Sequence, residues 1–170
     1  VSGFTGRVAS DLADTILNSR DIATVRDGVP AYLLMIDSFL IGSPDDPELL
    51  LAASTLYGSF TVFVDEPRAK LLTDKAIGYA LHAACIRRAS LCAVRSVPFA
   101  EFKSRVDDLS PKAVPLMYAL GTAWAGWISA HADDWNAVAE LARVKYLMSR
   151  IVDLDETWDN GGPHLYMGAL

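Results

Sequence analysis

Ala113-Val114-Pro115-Leu116-Met117-Tyr118-Ala119-Leu120-Gly121-Thr122-Ala123-Trp124-Ala125-Gly126-Trp127-Ile128-Ser129-Ala130-His131-Ala132 runs for twenty residues without a formal charge. That is about the length of a bilayer span. Pro115, Gly121, Thr122, Gly126, Ser129 and His131 interrupt it, however, and Asp133-Asp134 follows at once. A lipid-facing helix would be more uniformly apolar, so the stretch reads as a helix buried on nearly all sides. Such a helix needs other helices around it, and the flanking sequence supplies them.

Apolar residues recur at helical spacing through most of the chain, and no segment alternates as a strand would. A short helix is expected over residues 7–18, with Val8, Leu12, Ile16 and Leu17 on one face. Asp21 offers an N-cap for the next helix, which carries Ile22 and Val25. Pro30 interrupts that pattern, leaving either a kinked continuation or a new helix over 31–41, with Tyr32, Leu33, Ile36, Phe39 and Leu40 as its stripe. Ser43-Pro44-Asp45-Asp46-Pro47 then reads as the turn of a helical hairpin.

A third helix is expected over 47–64, uncharged from Leu49 onward, and a fourth after Asp65-Glu66-Pro67, with Pro67 in its first turn. Phe99, Phe102, Val106 and Leu109 mark a short amphipathic helix over 98–109. After the uncharged segment, a single helix is expected over 135–152. Pro163 opens one more, which the sequence leaves part-way through, so the chain reads as incomplete at Leu170. The fold expected is therefore all-α: a single domain over 1–170, built of antiparallel helical hairpins as a tetratricopeptide-like α-solenoid or irregular bundle. Leu120-Gly121-x-x-Trp124 fits the core of a tetratricopeptide first helix, although no strict repeat of 34 residues is present.

Composition narrows the function classes. The chain has 170 residues, 52% hydrophobic and 21% charged, with fifteen Lys and Arg against twenty-one Asp and Glu for a net charge of −6. No basic run offers a face to a phosphate backbone, so nucleic acid is not an expected partner. No export signal opens the sequence. His82, Cys85 and Cys92 share a helical face, but four compact zinc ligands are missing and no metal is expected. In one unbroken helix two residues seven apart lie about 10 Å from each other, too far for a disulfide, although a break between Arg87 and Ser90 would remove that objection. Buried free thiols are the expectation.

The acidic run Asp153, Asp155, Glu156 and Asp159 fails the calcium-loop register, with Thr157 at its fifth position and His164 at its twelfth. It reads as a solvated, capping turn. The doublets Asp107-Asp108 and Asp133-Asp134 read as helix caps rather than as a catalytic pair. Phosphate-binding, dinucleotide and nucleophile-elbow motifs are absent. The expectation is a non-enzymatic protein without cofactor.

Several stretches resemble one family in their order and spacing. They are Gly28-Val29-Pro30-Ala31-Tyr32-Leu33-Leu34, Pro44-Asp45-Asp46-Pro47 leading into Leu49-Leu50-Leu51-Ala52-Ala53, Leu56-Tyr57-Gly58, Arg68-Ala69-Lys70 and Pro98-Phe99-x-x-Phe102. Tyr118-Ala119-Leu120-Gly121-x-x-Trp124-x-x-Trp127, the stretch from Met148 to Asp155, and Asp159-Asn160-Gly161-Gly162-Pro163-His164-Leu165-Tyr166-x-Gly168 complete the set. From about Asp21 onward the chain resembles the T-component family of TRAP transporters, secondary carriers fed by a soluble substrate-binding protein. The resemblance implies a tetratricopeptide-like periplasmic lipoprotein that docks the substrate-binding protein. It also implies assembly as a trimer around a pore and a small hydrophobic ligand. The family's lipid-attachment Cys is not in this sequence, so the membrane would be met only through an anchor outside it.

Candidate ligand-binding residues follow from this implied cleft: Tyr57, Phe60, Tyr118, Trp124, Trp127, Trp135, His164 and Tyr166. Aromatics at three- and four-residue spacing ordinarily pack against a neighbouring helix, and the resemblance is what adds the cleft. His164 would lie in the first turn of a helix, where it caps or packs, or where free N–H groups receive a ligand carboxylate. Gly121 and Gly126 would allow close helix contact. The alternative function is a tetratricopeptide-type scaffold that holds a peptide helix in its groove. An enzyme on the His82–Cys85 face is the remote third.

Overall fold

The computed structural model describes residues 18–169 together with Arg7, Asp11 and Thr15. The stripe Val8, Leu12, Ile16 and Leu17 of the expected first helix lies outside the described residues. Asp21 accepts a hydrogen bond from the Thr24 N–H at 3.1 Å and starts α1, Ile22–Gly42. Pro30 sits inside that helix, so the two segments left open by the sequence are one. Asp46 accepts from the Glu48 and Leu49 N–H groups and starts α2, Pro47–Phe60, which tightens into a 3-10 turn over Thr61–Phe63. Asp65 caps α3, Glu66–Arg87, with Pro67 in the first turn, where its missing N–H costs nothing.

Next come α4, Phe99–Asp107, and α5, Val114–Ala130. The expected helix over 135–152 is two helices, α6, Trp135–Ala139, and α7, Leu141–Leu154. The break falls at Glu140, whose N–H bonds the Ala137 carbonyl while its own carbonyl accepts from Arg143. Its carboxylate reaches inward to the Arg95 Nε at 2.6 Å and the Trp124 Nε1 at 2.7 Å. A surface-helix period could not show this, because the residue at the break is an ordinary helix former. The last element, α8, is Gly162–Ala169. The described residues contain no strand, and the chain is all-helical.

Contacts fix the directions. Glu48 pairs with Arg87, and Gly58 faces Ala76, so α2 and α3 are antiparallel. Trp127 reaches back to Asp74 on α3, so α3 and α5 are antiparallel as well. Consequently α2 and α5 run parallel, one on each side of α3. Two apolar cores result. One joins α1, α2 and α3 through Val29, Leu33, Ile36, Leu49, Leu56 and Phe60. The other gathers α3, α4, α5 and α7 around Phe102, Met117, Leu120, Trp124, Leu147 and Met148. Leu51 packs against both.

The uncharged α5 is buried along Leu116, Met117, Leu120, Gly121, Trp124, Ala125 and Ile128. A Cβ on Gly121 would meet the Met148 Cε at 2.6 Å, so this glycine sets how closely α7 approaches. Gly126 has no such neighbour within 4 Å and is exposed, so the expected packing role holds at the first glycine and not at the second. With Pro115 and Ser129 also exposed, the helix is buried on fewer sides than expected. No helix among the described residues is long and apolar enough to cross a membrane.

The cysteines depart from expectation. Cys85 and Cys92 form a disulfide, with Cα atoms 4.3 Å apart. The reason is the helix break: α3 ends at Arg87, and the 3-10 turn Ala89–Leu91 folds Cys92 back beside Cys85. In this state no free thiolate remains on the His82 face, and the His82 Nε2 lies 2.9 Å from the Asp45 Oδ1.

Candidate functional site: a groove between parallel helices

Because α2 and α5 flank α3 without meeting along their full length, a groove of about 460 Å3 lies between them, closed at one side by α8. The volume is in the range of small-molecule sites, roughly 300–1,000 Å3. Ser54, Thr55, Gly58 and Ser59 of α2 form one wall, and Ala119, Thr122, Ala123, Gly126 and Ser129 of α5 the other. Thr73 and Ala76 of α3 make the floor, and Tyr166 and Ala169 come from α8. None of the lining residues is charged. Small side chains keep the space open, since any larger residue at these positions would fill it.

The hydroxyls of the groove divide into two kinds. Those of Thr55, Ser59, Thr73 and Thr122 donate to carbonyls of their own helices. Those of Ser54, Ser129 and Tyr166 bond no described residue, and of these three Ser54 is the least exposed, at 4%. A helical serine ordinarily bonds back to its own helix, and the Ser54 hydroxyl, which opens on the groove, does not. Ser54 thus offers a donor and an acceptor to whatever enters.

The α8 wall is fixed by an unusual turn. Asp159, Asn160 and Gly161 take φ of 49°, 55° and 82°, a left-handed run that Asp, Asn and Gly tolerate best. The Tyr118 hydroxyl donates to the Asp159 Oδ2 at 2.7 Å. Burial first, and then this carboxylate, push the Tyr118 phenol well above its usual range. A Cβ on Gly162 would stand 2.3 Å from the Tyr118 Oη, so only glycine fits there. Tyr166 meets Tyr118 edge-on at 6.1 Å, and Trp158 does so at 6.4 Å.

Of the eight residues expected to bind ligand, Tyr166 lines this groove and Tyr118 stands behind it. The others lie elsewhere. Trp124 is fully buried against Phe102 at 6.0 Å. Trp127 carries the Arg95 guanidinium 3.7 Å from its ring centroid, stacks on His131 and donates to Asp74. Phe60 faces a separate apolar cleft of about 230 Å3 beside the start of α1. Trp135 is 85% exposed at the start of α6. His164 is exposed, 3.9 Å from Glu156.

Tyr57 belongs to a polar cluster centred on Asp37. That carboxylate accepts from the Tyr57 and Tyr79 hydroxyls at 2.7 and 2.8 Å and pairs with Lys75. Burial raises the Asp37 pKa, but the hydrogen bonds from Lys75, Tyr57 and Tyr79 outweigh it, so the net shift is downward. Burial and the same carboxylate push the Tyr79 phenol up to about 12.

The residues that sequence reasoning missed are the small ones. Ser54 with Gly58, Thr122 with Gly126, and Ala119 with Ala123 are each four apart. A stripe of small residues on α5 and on α2 after Glu48 was the available signal, since an uncharged face of small residues need not be core.

The fold and groove define an all-helical protein with an uncharged, hydroxyl-lined cleft. The sequence model of the TRAP transporter T-component family matches residues 18–170. The chain belongs to that family, whose members are accessory proteins of TRAP transporters and not a known enzyme family. Neither curated proteins nor solved structures show a significant match to it.

Proposed function

We propose that this chain is a non-enzymatic periplasmic subunit of a TRAP transport system that docks the substrate-binding protein and holds a small, largely apolar ligand in the groove between α2 and α5. Its helical hairpins act as a tetratricopeptide-like scaffold, it works as a homo-oligomer, a trimer by family resemblance, and a lipid anchor on the precursor tethers it. The observation that carries the reading is the groove itself, whose walls bear no charge and whose Ser54 hydroxyl bonds no described residue. An apolar ligand would cover the Ala and Gly walls, and Ser54 with the α8 tyrosine would orient it.

The docking half is tested by biolayer interferometry between this chain and the substrate-binding protein of a TRAP system. Saturable binding at micromolar concentration is expected, in keeping with a transient accessory contact. A flat response across the whole concentration range, with both proteins folded, would contradict it.

A further inference from the structure

A second cleft begins at Leu51 and Leu116. The groove-lining faces of α2 and α5 continue toward the N-terminal ends of both helices, where this cleft of about 440 Å3 opens. Leu51 stands one turn before Thr55, and Leu116 stands three residues before Ala119, so the linings of the two clefts share a face on each helix. The second cleft gathers Arg87, Arg88 and Lys112 against one acid, Glu48. Glu48 is taken up by Arg87. The side chains of Arg88 and Lys112 make no hydrogen bond or ion pair with any described residue. They converge because α3 and α5 are antiparallel, which brings the end of one beside the beginning of the other. In a chain of net charge −6, such a pair does not reflect a generally basic surface.

We propose that the groove binds an anionic amphiphile, with its aliphatic chain along the uncharged section and its carboxylate or phosphate head between Arg88 and Lys112. The inference rests on the ligand-binding reading above and adds the head group and the orientation. Along α5 the distance from Val114 to Ser129 is about 22 Å at 1.5 Å per residue, with Lys112 in the turn just before it, enough for an extended aliphatic chain. Arginine takes an oxyanion in a bidentate fork, and lysine adds a second charge-assisted bond.

The test is calorimetric titration of the whole chain, below micelle formation, with decanoate, decyl phosphate, decanol and acetate. At least one of decanoate and decyl phosphate is expected to bind about tenfold or more tighter than decanol, as charge-assisted hydrogen bonds would give. Which of the two binds more tightly identifies the head. The double substitution R88A/K112A, at two exposed positions, should remove that advantage and leave decanol binding unchanged. Equal binding of decanol and both anions by the unaltered chain would overturn the anionic head while the ligand groove stands. An anion advantage that survives R88A/K112A would overturn the placement of the head. Acetate binding as tightly as decanoate would overturn the joined groove, and no binding of any of the four would overturn the ligand-binding reading itself.

Discussion

Asp37 shows how much a single carboxylate can carry between helices. It lies on α1, yet its partners Tyr57, Lys75 and Tyr79 belong to α2 and α3, so it ties three elements together. Replacing it by Asn keeps the shape and removes the charge, which should destabilise the fold by roughly 1–3 kcal/mol in urea unfolding. The pH dependence follows from its downward shift. Because its folded pKa lies below the ordinary value of 3.8, Asp37 contributes stability above that value and loses it as the pH falls through the lower one. The unaltered protein should therefore lose more stability between about pH 5 and pH 2 than Asp37→Asn does. Identical acid profiles for the two would show that the cluster is not worth this much. Nothing in the sequence near Asp37 indicated the cluster, because its partners lie 20, 38 and 42 residues away.

At the scale of elements, capping chemistry was readable and tertiary diversion was not. Asp21, Asp46, Asp65 and Asp134 all accept from first-turn N–H groups, as acids before helical patterns should. Glu140 broke the helix expected over 135–152, since its carboxylate is drawn to Arg95 and Trp124, neither of them a neighbour in sequence. The disulfide is a related case. A thiol pair seven apart bridges only if the helix stops between them, and that stop depends on a turn which no Gly or Pro announces. The bridge closes a short loop, so Cys85→Ser with Cys92→Ser should cost about 2–3 kcal/mol by the loop-entropy relation. Hydrogen exchange should localise the loosening to residues 88–97, where the Arg105 guanidinium bonds the carbonyls of Ser90 and Cys92. An unchanged midpoint after reduction would contradict that value.

For the whole molecule, the uncharged helix α5 has a double use. One side of α5 closes a core around Trp124, while the opposite side, with Gly126 and Ser129, faces the groove. The helical class and most element positions were legible because periodicity and caps are local signals. The groove was not, since it depends on α2 and α5 being parallel across α3, a relation set by contacts such as Trp127 with Asp74. Of the aromatic residues expected to bind ligand, Trp124 and Trp127 are tied into packing or side-chain bonds, while Tyr166 lines the groove. The central claim is that the small-residue groove holds a ligand, and native mass spectrometry of detergent-free protein tests it most directly, comparing the unaltered chain with Gly126→Trp. Gly126 has open space beside it, so the indole can enter the groove without displacing the core. Extra mass from an apolar small molecule is expected on the unaltered chain and lost from the variant, with the fold retained by circular dichroism. Ligand mass that persists in Gly126→Trp, or none on either protein, would contradict it.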